Sequence, residues 1–556
     1  MRLRLSTSHN HRPLLRLAVI GLVIALSAFV YLPTVSLDRY ESDDYLFLSQ
    51  VKEFGLLESL IVPWNDHFLP LYRLFMGGLY YLFETSTLIR LGILLFHLAN
   101  CWLIFHIVHT HTSSIALSAI AALAYGSSLQ PSSCILWCIN GHWTMSLTFF
   151  LLMSICFDAF AKTLDEDTPE HSPTWNASQG SQVSAALRPA NHGATVSAAP
   201  KTSLKFYYRG LLCFLVSLGF FSIAAFAGIG VWLYLYARLL WKRKLGGSVS
   251  LHLRIILPFV GIVTGYLLLR EYLNSKYFLY QTSWAMRYVE STFADNVRAV
   301  TSMSPDFYLA AIQRMLPFPA RHYVLVLCVF SLLLLKGIIF KMRETYIAAF
   351  WLMLGFMMFA IPLVWRIHIN LLLAPWIDSI LHWRFFCYPV AATSIAFGLL
   401  LSPPLFLSRN GARRFPFSRI LPWAVLGAAV LTLNMGNART ISSMAAYRKQ
   451  EHLKLYQRTL QYRDSMTRFL NSPTYSPEQV YHFQDGPAAP FPEFSAGLFV
   501  RKKHLFKLYF PRITNVHFDG DRETGHTLYL WTPQAVQKAE PPDIRSQDSR
   551  KSGDQG

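Results

Sequence analysis

Long apolar runs separated by short polar segments dominate this chain. The first covers residues 14–33, and ten more follow at 88–108, 114–129, 143–160, 211–227, 229–240, 255–269, 323–335, 346–364, 386–407 and 421–433. A helix needs about twenty apolar residues to cross the hydrocarbon core of a bilayer, and several runs approach that length. The pattern therefore predicts an all-α polytopic membrane protein with about eleven transmembrane helices.

The first run is expected to remain as a helix rather than to be removed as a signal peptide. It follows a short basic leader, is about twenty residues long, and precedes no small-residue cleavage pattern. With the N-terminus in the cytoplasm, alternate threading places most basic loops on the cytoplasmic side, as the positive-inside rule requires. These residues are Lys242, Arg243, Lys244, Lys336, Lys341, Arg343, Arg409, Arg413, Arg414 and Arg419.

This threading depends on a turn between the runs at 211–227 and 229–240. Gly228 and Gly230 are the expected place for it, because glycine interrupts regular structure. Without a turn there, every later helix would cross the membrane in the opposite direction.

Composition agrees with a membrane protein, since 53% of the 556 residues are hydrophobic and only 15% are charged. The net charge of +19 would fit nucleic-acid binding if Lys and Arg gathered on one soluble face, but here they separate the apolar runs. No nucleic-acid partner is therefore expected. The seven cysteines define no disulfide framework.

The remaining segments divide the chain into domains. Residues 1–435 are predicted to form the transmembrane module, which includes a disordered cytoplasmic loop at 162–205 rich in Ser, Ala and Pro. Residues 436–540 begin with a polar helix and continue into short strand-like pieces, which predicts a small α/β domain outside the cytoplasm. Residues 541–556 are expected to be a disordered tail.

The first external loop, residues 34–70, is acidic although the protein is basic. Its charged residues are Asp38, Glu41, Asp43, Asp44, Glu53, Glu58 and Asp66 against Arg39 and Lys52. Asp43 and Asp44 are adjacent, a few residues past the predicted membrane exit. A carboxylate there would accept the proton of an incoming hydroxyl or bind a divalent cation that neutralises a phosphate. A solvated loop remains the alternative for each carboxylate taken alone.

A second polar cluster lies just before the chain returns to the membrane. Asp66, His67 and Arg73 offer a carboxylate, an imidazole and a guanidinium. Arg73 is a candidate to pair with a phosphate oxygen. An interfacial arginine that extends towards lipid headgroups is the alternative.

Two further polar features have structural alternatives. His97 either lines a cavity or bonds to a neighbouring helix. Cys134, Cys138 and His142 recur at four-residue spacing, which invites a zinc site, but a fourth ligand is missing. Pro131 and the glycine before His142 also argue against one continuous helix, so a zinc site is not adopted.

The order of these motifs resembles the GT-C class of integral membrane glycosyltransferases, which includes the protein O-mannosyltransferases and the aminoarabinose transferases of lipid A. The resemblance consists of one helix, an acidic loop with an Asp-Asp pair, a His-x-x-Pro-x-x-Arg stretch from His67 to Arg73, and then many helices. It covers about the first 240 residues. Further similar stretches are His97 to Asn100, Leu129 to Pro131 with Trp137 and Gly141, and a weaker one at 382–389.

The resemblance implies an enzyme that transfers a sugar from a polyprenyl-phosphate carrier to a protein or glycan acceptor outside the cytoplasm, with inversion. Asp43 matches the first acid of the family's pair and is the expected base. Asp44 is its partner or a ligand of Mg²⁺ or Mn²⁺. The residues expected to bind substrate, including the carrier phosphate, are Asp66, His67, Arg73, Trp137, Arg366 and Arg384. The implied location is a bacterial inner membrane, in contact with its lipids.

One departure from the family leaves alternatives open. Many relatives have a Lys-Glu or similar polar pair near the outer end of the fifth span, where this chain has the apolar stretch 224–230. The change is compatible with another sugar, another acceptor or loss of activity. A transporter or flippase of lipid-linked saccharides is the second functional class, although no internal repeat supports it. A catalytically inactive membrane scaffold is the third.

Overall fold

The computed structural model describes residues 12–37, 40, 42–63, 67–166, 201–241, 249–277, 293–318, 323–340, 342–373, 383–402, 416–484, 487–490, 499–519 and 528–538. The helices of the first half are α1 Arg12–Val35, α2 Ser42–Ser59, α3 Pro70–Phe83, α4 Ser86–Thr112, α5 Ile115–Gly126, α6 Ser132–Leu136, α7 Gly141–Glu166, α8 Lys201–Phe220, α9 Ala224–Trp241 and α10 Val249–Lys276. Those of the second half are α11 Phe293–Thr301, α12 Pro305–Met315, α13 Tyr323–Ile339, α14 Arg343–Leu373, α15 Cys387–Leu400, α16 Pro416–Leu470 and α17 Lys502–Tyr509. Short 3₁₀ turns cover Cys138–Asn140 and Trp383–Phe386.

Apolar helices of spanning length confirm the predicted all-α polytopic membrane fold. In the described part of the chain, five segments are long and apolar enough to cross a bilayer: Pro13–Val35, Ser86–Thr112, Cys138–Leu164, Val249–Lys276 and Arg343–Val364. Shorter apolar helices of 10–17 residues are Ile115–Gly126, Ala224–Leu240, Leu327–Ile339 and Cys387–Leu400. Fewer full-length spans are therefore seen among these residues than the eleven predicted.

Polar residues at the end of an apolar run explain one of the shorter helices. The run at 114–129 forms a helix only as far as Gly126. Beyond it, the Ser127 hydroxyl donates to the carbonyl of Leu123 at 2.7 Å, and the Ser128 hydroxyl donates to the carbonyl of Tyr125 at 2.7 Å. These side chains occupy the last helical carbonyls and end the helix before the apolar run ends.

The turn predicted at Gly228 and Gly230 is wrong. Helix α8 ends at Phe220, and α9 begins at Ala224, so the chain turns at 221–223. Both glycines lie inside α9, where a Cβ at Gly228 would collide with the Phe214 ring of α8 and one at Gly230 would lie 2.9 Å from Leu354 of α14. Here glycine permits close helix packing rather than a turn. The two helices are nevertheless separate, as the threading requires.

Buried polar side chains join the spans to one another. Asn100 of α4 donates to the carbonyl of Thr144 at 3.0 Å, and the Tyr388 hydroxyl of α15 donates to Ser146 of α7 at 2.7 Å. His97 lies 3.2 Å from the carbonyl of Gly126 through Nε2, which is the bond to a neighbouring helix that its sequence context allowed. Such bonds satisfy polar groups that lipid cannot.

The C-terminal part forms the small α/β domain that the sequence predicts. Its strands are β1 Tyr481–Gln484, β2 Pro487–Pro490, β3 Phe499–Arg501, β4 Val516–Asp519, β5 Leu528–Trp531 and β6 Val536–Lys538. Strands β4, β1, β5 and β6 form one sheet in that order, in which β1 runs parallel to β4 and β5. Strands β2 and β3 form a separate antiparallel pair. Trp531 is fully buried and packs on Tyr462 of α16.

Helix α16 connects the apolar bundle to this domain. It contains 55 residues, so the predicted boundary between residues 435 and 436 falls inside one helix. The predicted loop at 162–205 is helical at both ends, because α7 extends to Glu166 and α8 begins at Lys201. Residues 167–200 and the predicted tail 541–556 lie outside the described residues.

Candidate active site

The first polar loop of the sequence is largely helical, because residues 42–59 form α2 and α3 begins at Pro70. Helix α3 has only 14 residues and is not among the helices of spanning length. Proline at its first position supplies a preset φ where no intrahelical N–H bond is needed. Helices α2 and α3 pack together and carry the acid pair and the following basic residue to one region.

Arg73 of α3 is completely buried in this region. Its Nη2 donates to Oε1 of Gln50 at 2.5 Å, and its guanidinium carbon lies 4.5 Å from the centre of the Phe47 ring. Nε and Nη1 have no hydrogen-bond partner among the described residues. Burial lowers the pKa of Arg73 to about 9, so the group remains mostly protonated at neutral pH. It does not extend to a surface, as an arginine reaching for headgroups would.

Asp44 is also fully buried, in the first turn of α2. Its Oδ1 accepts a hydrogen bond of 2.8 Å from the backbone N–H of Ile139. The carbonyl of the same residue is bonded to Nδ1 of His142. Because a carbonyl only accepts, Nδ1 must carry the proton, which in a neutral imidazole leaves Nε2 as an acceptor. One residue thus fixes both a carboxylate and an imidazole.

Residues 137–141 form a compact turn, called here the 137–141 turn, that other buried side chains also hold. The Tyr72 hydroxyl of α3 donates to the carbonyl of Cys138. Nε and Nη2 of Arg90 in α4 both donate to the carbonyl of Leu136, just before the turn, at 3.1 Å. The turn is therefore tied to helices from both sides, which fits a rigid support for reacting groups.

His67 occupies the neighbouring position and is half-buried. Its Nδ1 lies 2.9 Å from Oγ of Ser222, in the turn between α8 and α9. The His67 and His142 rings have centroids 6.4 Å apart, and the Phe221 ring contacts both, at 5.0 and 4.4 Å. Two imidazoles therefore meet in aromatic surroundings beside the 137–141 turn.

The three residues considered and rejected as zinc ligands lie apart in the described part of the chain. Cys134, Cys138 and His142 belong to three separate elements, α6, the 3₁₀ turn and α7. Among the described residues, no group of three or more His, Cys, Asp or Glu side chains is placed to hold a metal ion.

The described side chains include four of the predicted site residues. Asp44, His67 and Trp137 lie on or beside the 137–141 turn, and Trp137 is 3% exposed. Arg73 lies between α2 and α3, against Gln50. The side chains of the other four, Asp43, Asp66, Arg366 and Arg384, lie outside the described residues.

Sequence reasoning missed three residues of this region. His142 was considered only as part of a zinc set, and Ser222 stood in an apolar run with no motif. The sequence did offer a signal for Gln50. It lies three positions after Phe47, and residues at that spacing share a helical face, so both side chains can contact the same partner.

The C-terminal domain contacts α2 close to the acid pair. Lys507 of α17 forms an ion pair with Glu53. Tyr45, next to Asp44, is 3% exposed, and burial raises its pKa, with Tyr509 of α17 adding to the rise. The domain therefore covers the helix that carries the acids.

These features define the class of the protein: an integral membrane protein with a buried polar site between its first loop and its bundle. No protein-family model and no curated protein sequence matches the chain. Two solved structures of ArnT from Cupriavidus metallidurans are similar. One, bound to undecaprenyl phosphate, has 13% identity and a TM-score of 0.44, and the apo state has 14% and 0.45, each over 92% of both chains. Both neighbours are aminoarabinose transferases of the GT-C class, which the sequence motifs also resemble.

Proposed function

We propose that the protein is a membrane glycosyltransferase that moves a sugar from a polyprenyl-phosphate carrier to an acceptor on the extracytoplasmic face. The observation that carries the proposal is the environment of Arg73. This guanidinium is fully buried, and two of its N–H-bearing nitrogens have no partner among the described residues. An uncompensated buried charge is strongly destabilising, which favours an anion as the missing partner. A phosphate suits a guanidinium best, because the two geometries match.

The carrier lipid provides such a phosphate. A polyprenyl chain lies in the bilayer while its phosphate stays at the surface, next to helices such as α2 and α3. The Cupriavidus structure bound to undecaprenyl phosphate contains a lipid of this type. For this chain the proposal rests on Arg73 and on the order of sequence motifs.

The transfer step is assigned to the adjacent acids. Asp43 takes the proton of the acceptor hydroxyl, whose oxygen then attacks the anomeric carbon opposite the phosphate. The bond between that carbon and the phosphate oxygen breaks, and the polyprenyl phosphate leaves with inversion. Asp44, bonded to Ile139, holds the first turn of α2 in place for this step.

The imidazoles are proposed to contact the sugar. His67 and Ser222 form a polar pair at the start of α9, directly before the apolar stretch 224–230 that replaces the family's usual pair. They offer the sugar hydroxyls a hydrogen-bonding partner at that end of the helix. A divalent cation stays a prediction of the sequence: Asp44 would hold it, and the ion would neutralise charge on the carrier phosphate.

The test uses purified protein in vesicles with a set of labelled polyprenyl-phosphate sugars and a cell-envelope acceptor fraction. Asp43→Asn and Arg73→Gln should each reduce transfer at least a hundredfold, with Arg73→Lys intermediate. Glu58→Gln is the matched control, because Glu58 is an exposed carboxylate of the same helix. Full transfer by folded Asp43→Asn and Asp44→Asn would reject the mechanism. Movement of the donor between leaflets without transfer would favour the flippase instead.

A further inference from the structure

A cavity of about 280 Å³ lies at the opposite end of the bundle from the candidate active site. Residues of α4, α7, α9 and α14 line it. Helix α7 connects the two places, because it begins near His142 and reaches Asp158 in the cavity wall. At 1.5 Å per residue these residues are about 24 Å apart, most of the thickness of a hydrocarbon core. The cavity is therefore not part of the proposed transfer site.

The inner wall of this cavity is apolar. Phe157, Leu235 and Trp351 line it and are 2%, 3% and 4% exposed. The charged lining residues are more accessible, since the side chains of Lys162 and Asp158 are 33% and 21% exposed. The cavity thus has a charged mouth and an apolar interior.

Basic side chains surround a single acid at the mouth. Asp158 lies 2.7 Å from Nζ of Lys162, 3.0 Å from Nη1 of Arg238 and 3.9 Å from Nε2 of His111. Nη2 of Arg16 lies 3.4 Å from Nδ1 of His106, another lining residue. Asp158 is the only carboxylate among the lining residues described, so the described side chains leave the mouth positively charged.

We propose that this cavity binds one anionic membrane lipid. Its phosphate lies at Lys162 and Arg238, and part of one acyl chain lies among Phe157, Leu235 and Trp351. Lysine and arginine next to a membrane attract anionic lipids. Replacing water in the apolar interior by an acyl chain lowers the free energy of the complex. The volume is close to the lower limit of about 300 Å³ for small-ligand sites, which suits part of a chain rather than a whole lipid.

A purely structural ion-pair network is the competing explanation for the charges. It accounts for Asp158 and its partners, but not for the cavity behind them. A free phosphate ion accounts for the charges in the same way and leaves the apolar interior unused. A phospholipid uses both parts of the site.

The test measures lipid binding to the purified full-length protein in detergent by native mass spectrometry. The probes are phosphatidylglycerol and phosphatidylcholine with identical chains. One phosphatidylglycerol should bind roughly tenfold more tightly than phosphatidylcholine, as expected for a charge-assisted contact. Lys162→Gln should remove that preference, and Lys162→Arg should keep it. Lys205→Gln, which removes an exposed charge near the start of α8 outside the cavity lining, should change nothing.

The second part of the test fills the apolar interior of the cavity with a larger side chain. Leu235→Trp should weaken binding of both lipids by a similar factor while the variant keeps the elution volume and melting temperature of the wild type. Equal binding of the two lipids by the wild-type protein would overturn the proposal, and so would an unchanged preference in Lys162→Gln. Displacement of phosphatidylglycerol by millimolar inorganic phosphate, together with no effect of Leu235→Trp, would assign the mouth to a soluble anion. None of these outcomes depends on sugar transfer.

Discussion

Asp44 and His142 are held by the same residue, since Ile139 donates its N–H to the carboxylate of one and its carbonyl accepts from the ring of the other. These side chains come from segments almost a hundred positions apart. The first loop and the 137–141 turn therefore form one unit, and a change in either is expected to affect both.

The first prediction concerns the charge of Asp44. Asp44→Asn keeps an oxygen that accepts from Ile139 but removes the negative charge, and hydrogen bonds to charged groups are stronger than neutral ones. We expect the free energy of unfolding to fall by about 1 kcal/mol. Thermal unfolding in detergent measures this, with Glu58→Gln as the exposed control, expected within roughly 0.5 kcal/mol of the wild type. An equal change in both variants would mean that the bond to Ile139 contributes little.

The second prediction concerns the pH dependence of carrier binding. Burial lowers the pKa of Arg73 to about 9 in the protein, far below its usual range. Protonated Arg73 attracts a phosphate and neutral Arg73 does not, so affinity for the fully ionised phosphate should fall as pH rises through about 9. Titration of a polyprenyl phosphate at pH 7 to 10 measures the change. Arg73→Gln should bind weakly at every pH, and a parallel fall in that variant would assign the dependence to another group.

The third prediction concerns His67 and Ser222. Their contact at 2.9 Å should give a coupling free energy of about 1 kcal/mol in a double-mutant cycle with His67→Ala and Ser222→Ala. Transfer kinetics provide a second measurement: if the pair contacts the sugar, each variant should raise the KM for the donor more than it lowers kcat. Additive effects on stability together with an unchanged KM would contradict both parts.

The fourth prediction concerns helix packing at Gly228. A side chain there meets the Phe214 ring, so Gly228→Ala should destabilise the protein by about 1 to 3 kcal/mol. Gly261→Ala is the matched control, because Gly261 also lies in an apolar helix and nothing lies within 4 Å of its added Cβ. Melting temperatures of the two variants test the difference, and similar values would show that α8 and α9 adjust easily.

Sequence alone identified the membrane class, the apolar helices and the small C-terminal domain, because these depend on local hydrophobicity and periodicity. It misplaced the turn after α8, since the role of Gly228 depends on Phe214 of another helix. It selected Asp44 and Arg73 from their chemistry, but not His142 or Ser222. Ser222 reaches the site only when the turn at 221–223 meets His67 in the folded chain, and His142 only when the 137–141 turn meets Asp44 through Ile139.

The continuity of α16 has a mechanical consequence. A helix of 55 residues is about 80 Å long, more than twice the thickness of a hydrocarbon core. One end lies with the bundle, and the other contributes Tyr462 and Phe469 to the core around the sheet. There is no flexible linker between the two parts along this helix, so the sheet and the bundle are expected to move together. A displacement of the sheet, such as one caused by a bound partner, is therefore expected to shift the apolar bundle as well.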